Sequence, residues 1–240
     1  MTVSFSRVLP RHALGYYLAA FALLYLFAAL FLASLHIWLL PGEMISRMMH
    51  YRGAPVVMLL ALPVSGYLFW LGSDLIAWRS TPLTLTLDAQ ALHVGARRIA
   101  YTAITSLRHQ HNRSHLRLTL KSGERIRIRL NLWDAPLVLA TELESRIGGS
   151  QHAGALHALQ AGQTLHFGPV SMSAAGLTCN QRPVPWTSIS NIRTQSNSEG
   201  LETEETLIIV ADGKTHKVDR SKLTNEPVLL ACMQHYLPRV

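Results

Sequence analysis

Residues 88–110 read DAQALHVGARRIAYTAITSLRHQ, and residues 173–195 read SAAGLTCNQRPVPWTSISNIRTQ. Laid over one another at an offset of 85, they align without a gap. Ala89, Leu92, Arg97, Thr102, Ile104, Arg108 and Gln110 meet the identical residues Ala174, Leu177, Arg182, Thr187, Ile189, Arg193 and Gln195. Val94 meets Cys179, Ile99 meets Val184, Tyr101 meets Trp186 and Leu107 meets Ile192. Self-similarity of this kind says that one structural unit is built twice.

The ends of the two units match as well. Residues 134–140 read DAPLVLA and residues 225–231 read NEPVLLA. Asp134 and Asn225 are helix-capping residue types, and Pro136 and Pro227 suit a first helical turn, where no N–H is needed. The pattern predicts helices over 135–147 and 226–237. Between these blocks the hydrophobic period is two. Leu116, Leu118 and Leu120 alternate with Arg117, Thr119 and Lys121; after the turn at 121–124, Ile126, Ile128 and Leu130 alternate with Arg125, Arg127 and Arg129. This predicts a hairpin with one apolar and one basic face. The second unit offers Leu207-Ile208-Ile209-Val210, a turn at Asp212-Gly213 and a strand near 214–218. Short antiparallel strands closed by a C-terminal helix suit a small barrel or sandwich.

The pattern resembles the bacterial pleckstrin-homology-like (PH-like) domains, in which a short DAxGL turn precedes a strand and an aromatic-x-x-Ile step enters the next. The first copy carries this as Asp88-Ala89-Gln90-Ala91-Leu92 with Tyr101-Thr102-Ala103-Ile104, and the second as Ser173-Ala174-Ala175-Gly176-Leu177 with Trp186-Thr187-Ser188-Ile189. The resemblance covers about residues 80–147 and 165–238, and implies two tandem, mainly-β PH-like domains over 80–147 and 165–240. Two transmembrane helices ahead of such a domain also resemble bacterial membrane proteins of this group. Gly148 to Gly162, rich in Gly and Ala, is expected to lie in a linker over 148–164, with room for a short helix at 153–161. Residues 194–205, TQSNSEGLETEE, are expected to be a disordered acidic loop between two strands.

Ahead of the repeat, residues 13–40 contain no Asp, Glu, Lys or Arg, and residues 54–78 form a second apolar run whose one formal charge is Asp74. About 20 apolar residues suffice for a helical crossing. These runs predict an α-helical transmembrane hairpin over 1–79, with helices near 13–40 and 54–78 and a kink at Pro63. Tyr16, Tyr17, Trp38, Trp70 and Trp78 flank the runs or lie late in them, where amphipathic rings favour headgroups. Two crossings put both chain ends on one side. Arg7, Arg11 and Arg79 slightly outweigh Arg47 and Arg52 with Glu43 in the connection, which predicts a multi-pass bacterial inner-membrane protein with cytoplasmic termini. Asp74 is read as an interfacial acid near a helix end.

The chain of 240 residues holds 22 Lys+Arg and 14 Asp+Glu, a net charge of +8, with 49% apolar and only 15% charged residues. That balance excludes long disorder. Two cysteines, Cys179 and Cys232, exclude a disulfide scaffold and are expected to be buried apolar residues. By region the charge is +3 over 1–79, +5 over 80–147 and zero over 148–240.

Arg117, Lys121, Arg125, Arg127 and Arg129 form the strongest candidate surface, for anionic lipid headgroups or an acidic partner. His111 and Arg113 sit in the loop before it. His109, His111 and His115 share a face if one straight strand carries them, but no further metal-ligand spacing accompanies them, and no metal or cofactor is expected. Tyr101 and Trp186 occupy equivalent places, which argues for packing rather than ligand stacking. No P-loop, G-x-S-x-G or G-x-G-x-x-G after a strand is present, and the basic face lacks the interleaved aromatics of a nucleic-acid binder. The expectation is a noncatalytic, membrane-anchored binding or scaffold protein that meets anionic lipid, a protein partner or another copy of itself. The alternative is an accessory subunit of a membrane transport or envelope-stress complex, using Ala19, Ala22, Ala28, Ala29, Ala33 and Ser34 for close helix contacts.

Overall fold

A computed structural model describes residues 2–44, 47, 54–110, 114–199 and 202–237. The chain divides into two compact units, Met1–Ser6 with Pro82–Val240, and Arg7–Thr81.

In the smaller unit, α1 (Arg11–Ser34) is long and apolar enough to cross a membrane. It ends at Ser34, short of the expected Leu40. α2 (Ala54–Leu71) carries Pro63 within it. The break in the second apolar run falls after Leu71, and α3 (Asp74–Ser80) leaves at 43°. Asp74 opens α3, its Oδ2 3.5 Å from His12 Nε2. Rings and small residues pack these helices. Tyr17 and Phe21 meet Phe69 edge-on at 5.1 and 5.3 Å. Ala20, Ala29, Ala33 and Ala61 are buried, so Ala29 and Ala33 are already used inside this unit. Its outer surface stays apolar, with Leu18, Phe21, Leu59, Trp70 and Ile76 each more than half exposed. Arg7 ties the beginning of the unit to its end. Its guanidinium lies 4.3 Å over the Trp78 ring and donates to the carbonyls of Trp78 (2.8 Å) and Thr81 (2.7 Å).

The larger unit carries the repeat. In the first copy β1 (Val3–Ser6), β2 (Thr84–Leu87), β3 (Ala91–Val94) and β4 (Arg97–Ala100) form an antiparallel sheet in that order. A 3-10 turn at Tyr101–Ala103 leads to the sheet of β5 (Ile104–Gln110), β6 (His115–Leu120) and β7 (Arg125–Arg129), and α4 (Pro136–Gln160) follows. The second copy has β8 (Leu165–His166), β9 (Val170–Ser173), β10 (Gly176–Cys179) and β11 (Arg182–Pro185). After a 3-10 turn at Trp186–Ser188 come β12 (Ile189–Glu199), β13 (Glu202–Ala211) and β14 (Lys214–Asp219), then α5 (Glu226–Tyr236). The offset of 85 recurs in backbone bonds of the first sheet of each copy. Tyr101 N–H donates to Gln90 O as Trp186 N–H does to Ala175 O, and Gly95 N–H to Thr84 O as Asn180 N–H to Pro169 O. The first strand of each three-stranded sheet shifts register at the same place, Ile104/Ser106 and Ile189/Asn191.

Several placements depart from the sequence reading. The first copy takes in residues before Arg7, because its outer strand is β1. That strand pairs with β2 (Ser6 with Thr84) as β8 pairs with β9 (His166 with Ser171). Each outer strand is held near its end from the segment before the terminal helix, Asp134 N–H donating to Ser6 O and Thr224 N–H, one place earlier in the repeat, to Phe167 O. Arg7–Thr81 is thus an insertion where the second copy has a tight turn. At that turn Gly168 has φ 81°, and a side chain there would strike the Lys222 carbonyl.

The stretch read as a linker is helical. α4 runs to Gln160, burying Leu139, Ala140, Leu143 and Ile147 early and packing Leu159, with Ala155 and Leu156, into the core of the second copy. Gly148 and Gly149 lie inside it; a Cβ on Gly148 would come to 3.0 Å from Pro227, so the missing side chain admits α5 close by. The expected disordered loop is also largely structured. β12 and β13 pair out to Glu199 and Glu202, leaving Gly200 and Leu201 outside the described residues. Neither terminal helix is capped by the expected side chain. Ala135 precedes α4, and Asn225, at φ 51°, turns its amide elsewhere.

Candidate functional site

Strand alternation builds the basic surface. Leu116, Leu118 and Ile128 are buried in the core, so the intervening residues face out. Cross-strand register then sets three rows over β5, β6 and β7: Ser106–Thr119–Arg125, Arg108–Arg117–Arg127, and Gln110–His115–Arg129. These nine positions hold five arginines and no acid. Like charges directly opposite one another repel, and the row Arg108–Arg117–Arg127 sets three arginines across neighbouring strands.

Of the five sequence-predicted residues, Arg117, Arg125, Arg127 and Arg129 share this face, and Lys121 lies in the turn beyond it, its N–H bound to Ala103 O at 2.8 Å. Sequence reading misses Arg108, although it alternates with Leu107 in the strand before the hairpin. Arg125 and Arg127 are exposed and Arg117 is half-buried, its Nη2 3.4 Å from Gln110 Oε1. Arg108 Nε donates to Ser221 O at 2.5 Å. The nearby acid Glu124 is engaged elsewhere, in a two-pronged pair with Arg97 at 2.5 Å for each bond. That pair holds the Glu124 carboxyl below its ordinary range.

His109 and His115 do not converge. His109 pairs across the sheet with Leu116 and His115 with Gln110, so the two face opposite sides. His109 Nδ1 lies 2.7 Å from Glu144 Oε1 on the helix side. His111 and Arg113 fall outside the described residues. Among the described residues, no three His, Cys, Asp or Glu side chains gather as metal ligands.

The two motif aromatics act alike. Tyr101 Oη donates to Asp88 O at 3.1 Å, and Trp186 Nε1 donates to Ser173 O at 3.2 Å, each tying the aromatic to the residue that opens its turn. The Asp88 carboxylate accepts from the N–H groups of Gln90 (2.6 Å) and Ala91 (2.5 Å) and meets His93 Nε2 at 2.8 Å. The His93 bond, then the two backbone bonds, lower its pKa to about 2.

Sequence reading also misses a charged cluster at the start of α5. Arg220 Nε donates to Glu226 Oε1 at 2.5 Å, and its Nη1 pairs with Glu205. Burial pushes the Glu226 carboxyl up, against the pull of Arg220. Comparison with known proteins finds no matching family model, no matching curated protein and no matching solved structure.

Proposed function

We propose that this chain is a noncatalytic membrane-anchored binding protein, with two tandem PH-like domains whose Arg-rich sheet face takes up the phosphates of anionic lipid headgroups at the cytoplasmic surface of a bacterial inner membrane. The observation that carries the reading is the acid-free row Arg108–Arg117–Arg127 with Arg125 and Arg129 beside it. Arginine suits phosphate because its planar fork offers paired donors, and each basic residue near an anionic leaflet contributes about 1 kcal/mol.

The anchor is a two-helix hairpin, α1 crossing one way and α2 with α3 the other. Two observations favour it over a removable leader. Residues Val3–Ser6, ahead of α1, are a strand of the same sheet as Thr84–Leu87, so both ends of the insertion return to one place. The insertion also leaves large apolar side chains uncovered all along α1 and α2, more than a water-facing surface ordinarily carries.

The test uses the full chain in lipid nanodiscs, neutral or containing anionic lipid, with amide exchange read over β6 and β7. Anionic lipid is expected to protect these strands, high salt to remove the protection because screening weakens exposed charge contacts, and combined Arg117→Glu, Arg125→Glu and Arg127→Glu to abolish it. Equal exchange in both lipids would sink the lipid reading and leave an acidic protein as the ligand of this face.

A further inference from the structure

The two copies differ in what covers the outer edge of the first strand of their three-stranded sheets. In the first copy the edge of β5 is closed by the second copy's chain. Leu107 N–H donates to Asn225 Oδ1 at 2.6 Å, Asn225 N–H to Leu107 O at 2.7 Å, and Asn225 Nδ2 to Thr105 O at 3.0 Å. Arg108 reaches Ser221 O, and Gln151 Nε2 donates to Ile104 O at 2.8 Å.

In the second copy the residues at the 85 offset are Ile189, Ser190, Ile192 and Arg193. β12 is the edge of its sheet, and among the described residues no strand pairs beyond it. A groove of about 660 Å³ lies between β12 and α5, with Ile189, Ile192, Leu207, Leu230, Met233 and Leu237 on its walls. Volumes of this size hold ligands. Arg193 is exposed on its rim.

We infer that this groove receives a short looped segment of a partner polypeptide, seated on the edge of β12 as Ser221–Asn225, a 3-10 turn followed by a left-handed Asn, is seated on the edge of β5. The segment carries an Asn, or another amide able both to accept and to donate, opposite Ile192. It offers an oxygen acceptor to Arg193 and an apolar side chain to Leu207 and Leu230. Two things select that occupant. The equivalent edge in the same molecule already holds such a segment. The cation equivalent to Arg108 lies exposed on the rim. A second copy of this chain is disfavoured as the donor, because Asn225 is spent on β5 and the N–H of Asp134, its counterpart, on Ser6. Hydrogen bonds to the open strand edge supply affinity in this arrangement, and the apolar walls of the groove supply selectivity.

The test uses the full chain in detergent micelles and a labelled peptide spanning residues 219–229, the segment that fits the equivalent edge. Saturable binding is expected, with new exchange protection at Ile192. Arg193→Glu, at an exposed site, should weaken binding about tenfold, the value of one charged hydrogen bond, and Asn225→Gly in the peptide should do the same. Absence of saturable binding overturns the proposal. So does indifference to both substitutions, protection at Leu107 instead of Ile192, or a peptide-free dimer that already protects Ile192. None of these outcomes depends on the Arg-rich face of the first copy.

Discussion

Asn225 and Leu107 are bonded in both directions: the Leu107 N–H donates to the Asn225 side chain, and the Asn225 N–H donates to the Leu107 carbonyl. One residue in the left-handed region, φ 51°, thereby closes this stretch of the β5 edge with its backbone N–H and its side-chain amide. The contact seals an edge that would otherwise template pairing with other chains.

Replacement Asn225→Gly keeps that backbone conformation available and removes only the amide. The expected loss is about 1–3 kcal/mol, from leaving Leu107 N–H without its partner. Faster amide exchange at Leu107, with β12 unchanged, is the measurement. Unchanged exchange at Leu107 would show that the pairing contributes nothing to closing the seam.

Phe5 is 2% exposed although the apolar insertion separates it in sequence from the sheet it packs into. Phe5→Ala should destabilise the larger unit by about 3–5 kcal/mol, as buried Phe truncations do. Urea titration of the full chain in micelles, followed by exchange at β2 and β3, reads this. A loss below about 1 kcal/mol would mean that β1 is not integral to the sheet.

Asp88 has a folded pKa of about 2, lowered from 3.8 by His93 and the two turn N–H groups. A lowered pKa means that the ionised form is favoured in the fold, so its stabilisation is complete above the unfolded value and fades as pH falls from about 4 towards 2. Asp88→Asn, which keeps an acceptor but carries no charge, should show a shallower loss of stability across that window. Identical pH profiles for the two proteins would remove Asp88 from the acid response.

Burial pushes the Cys179 thiol up to about 11 and raises Cys232 as well. Both side chains sit in the second core. Thiolate is the reactive form, so neither should take up iodoacetamide at neutral pH until the fold is opened. Mass spectrometry in micelles, with and without urea, checks this; rapid labelling of either thiol without urea would contradict the packing.

Most of the Arg-rich face is readable from local pattern. Alternation of Leu or Ile with Arg assigns Arg117, Arg125, Arg127 and Arg129 to one side, because in a strand neighbours two apart share a face whatever surrounds them. Arg108 escapes that reading because it lies one strand earlier, beyond the hairpin that the alternation marks. Lys121 is drawn in because alternation does not reveal where a ladder stops. The condition for His109 and His115 to share a face, one straight strand, is not met. They belong to two strands, β5 and β6, and each strand keeps its own parity.

Local chemistry settles the repeat, its offset of 85, the core faces of the strands, the start of both terminal helices and the apolar character of the insertion. Each of these depends on a side chain's own properties and on neighbours a few positions away. Long-range packing settles that Val3–Ser6 completes a sheet across the insertion, that the Gly-rich stretch continues α4 between two cores, and that Asn225 binds β5 rather than capping α5. A strand edge, a helix flank and an amide each have several partners of similar local merit. Which one is taken depends on the groups that the rest of the chain brings within bonding distance, and no local period records that.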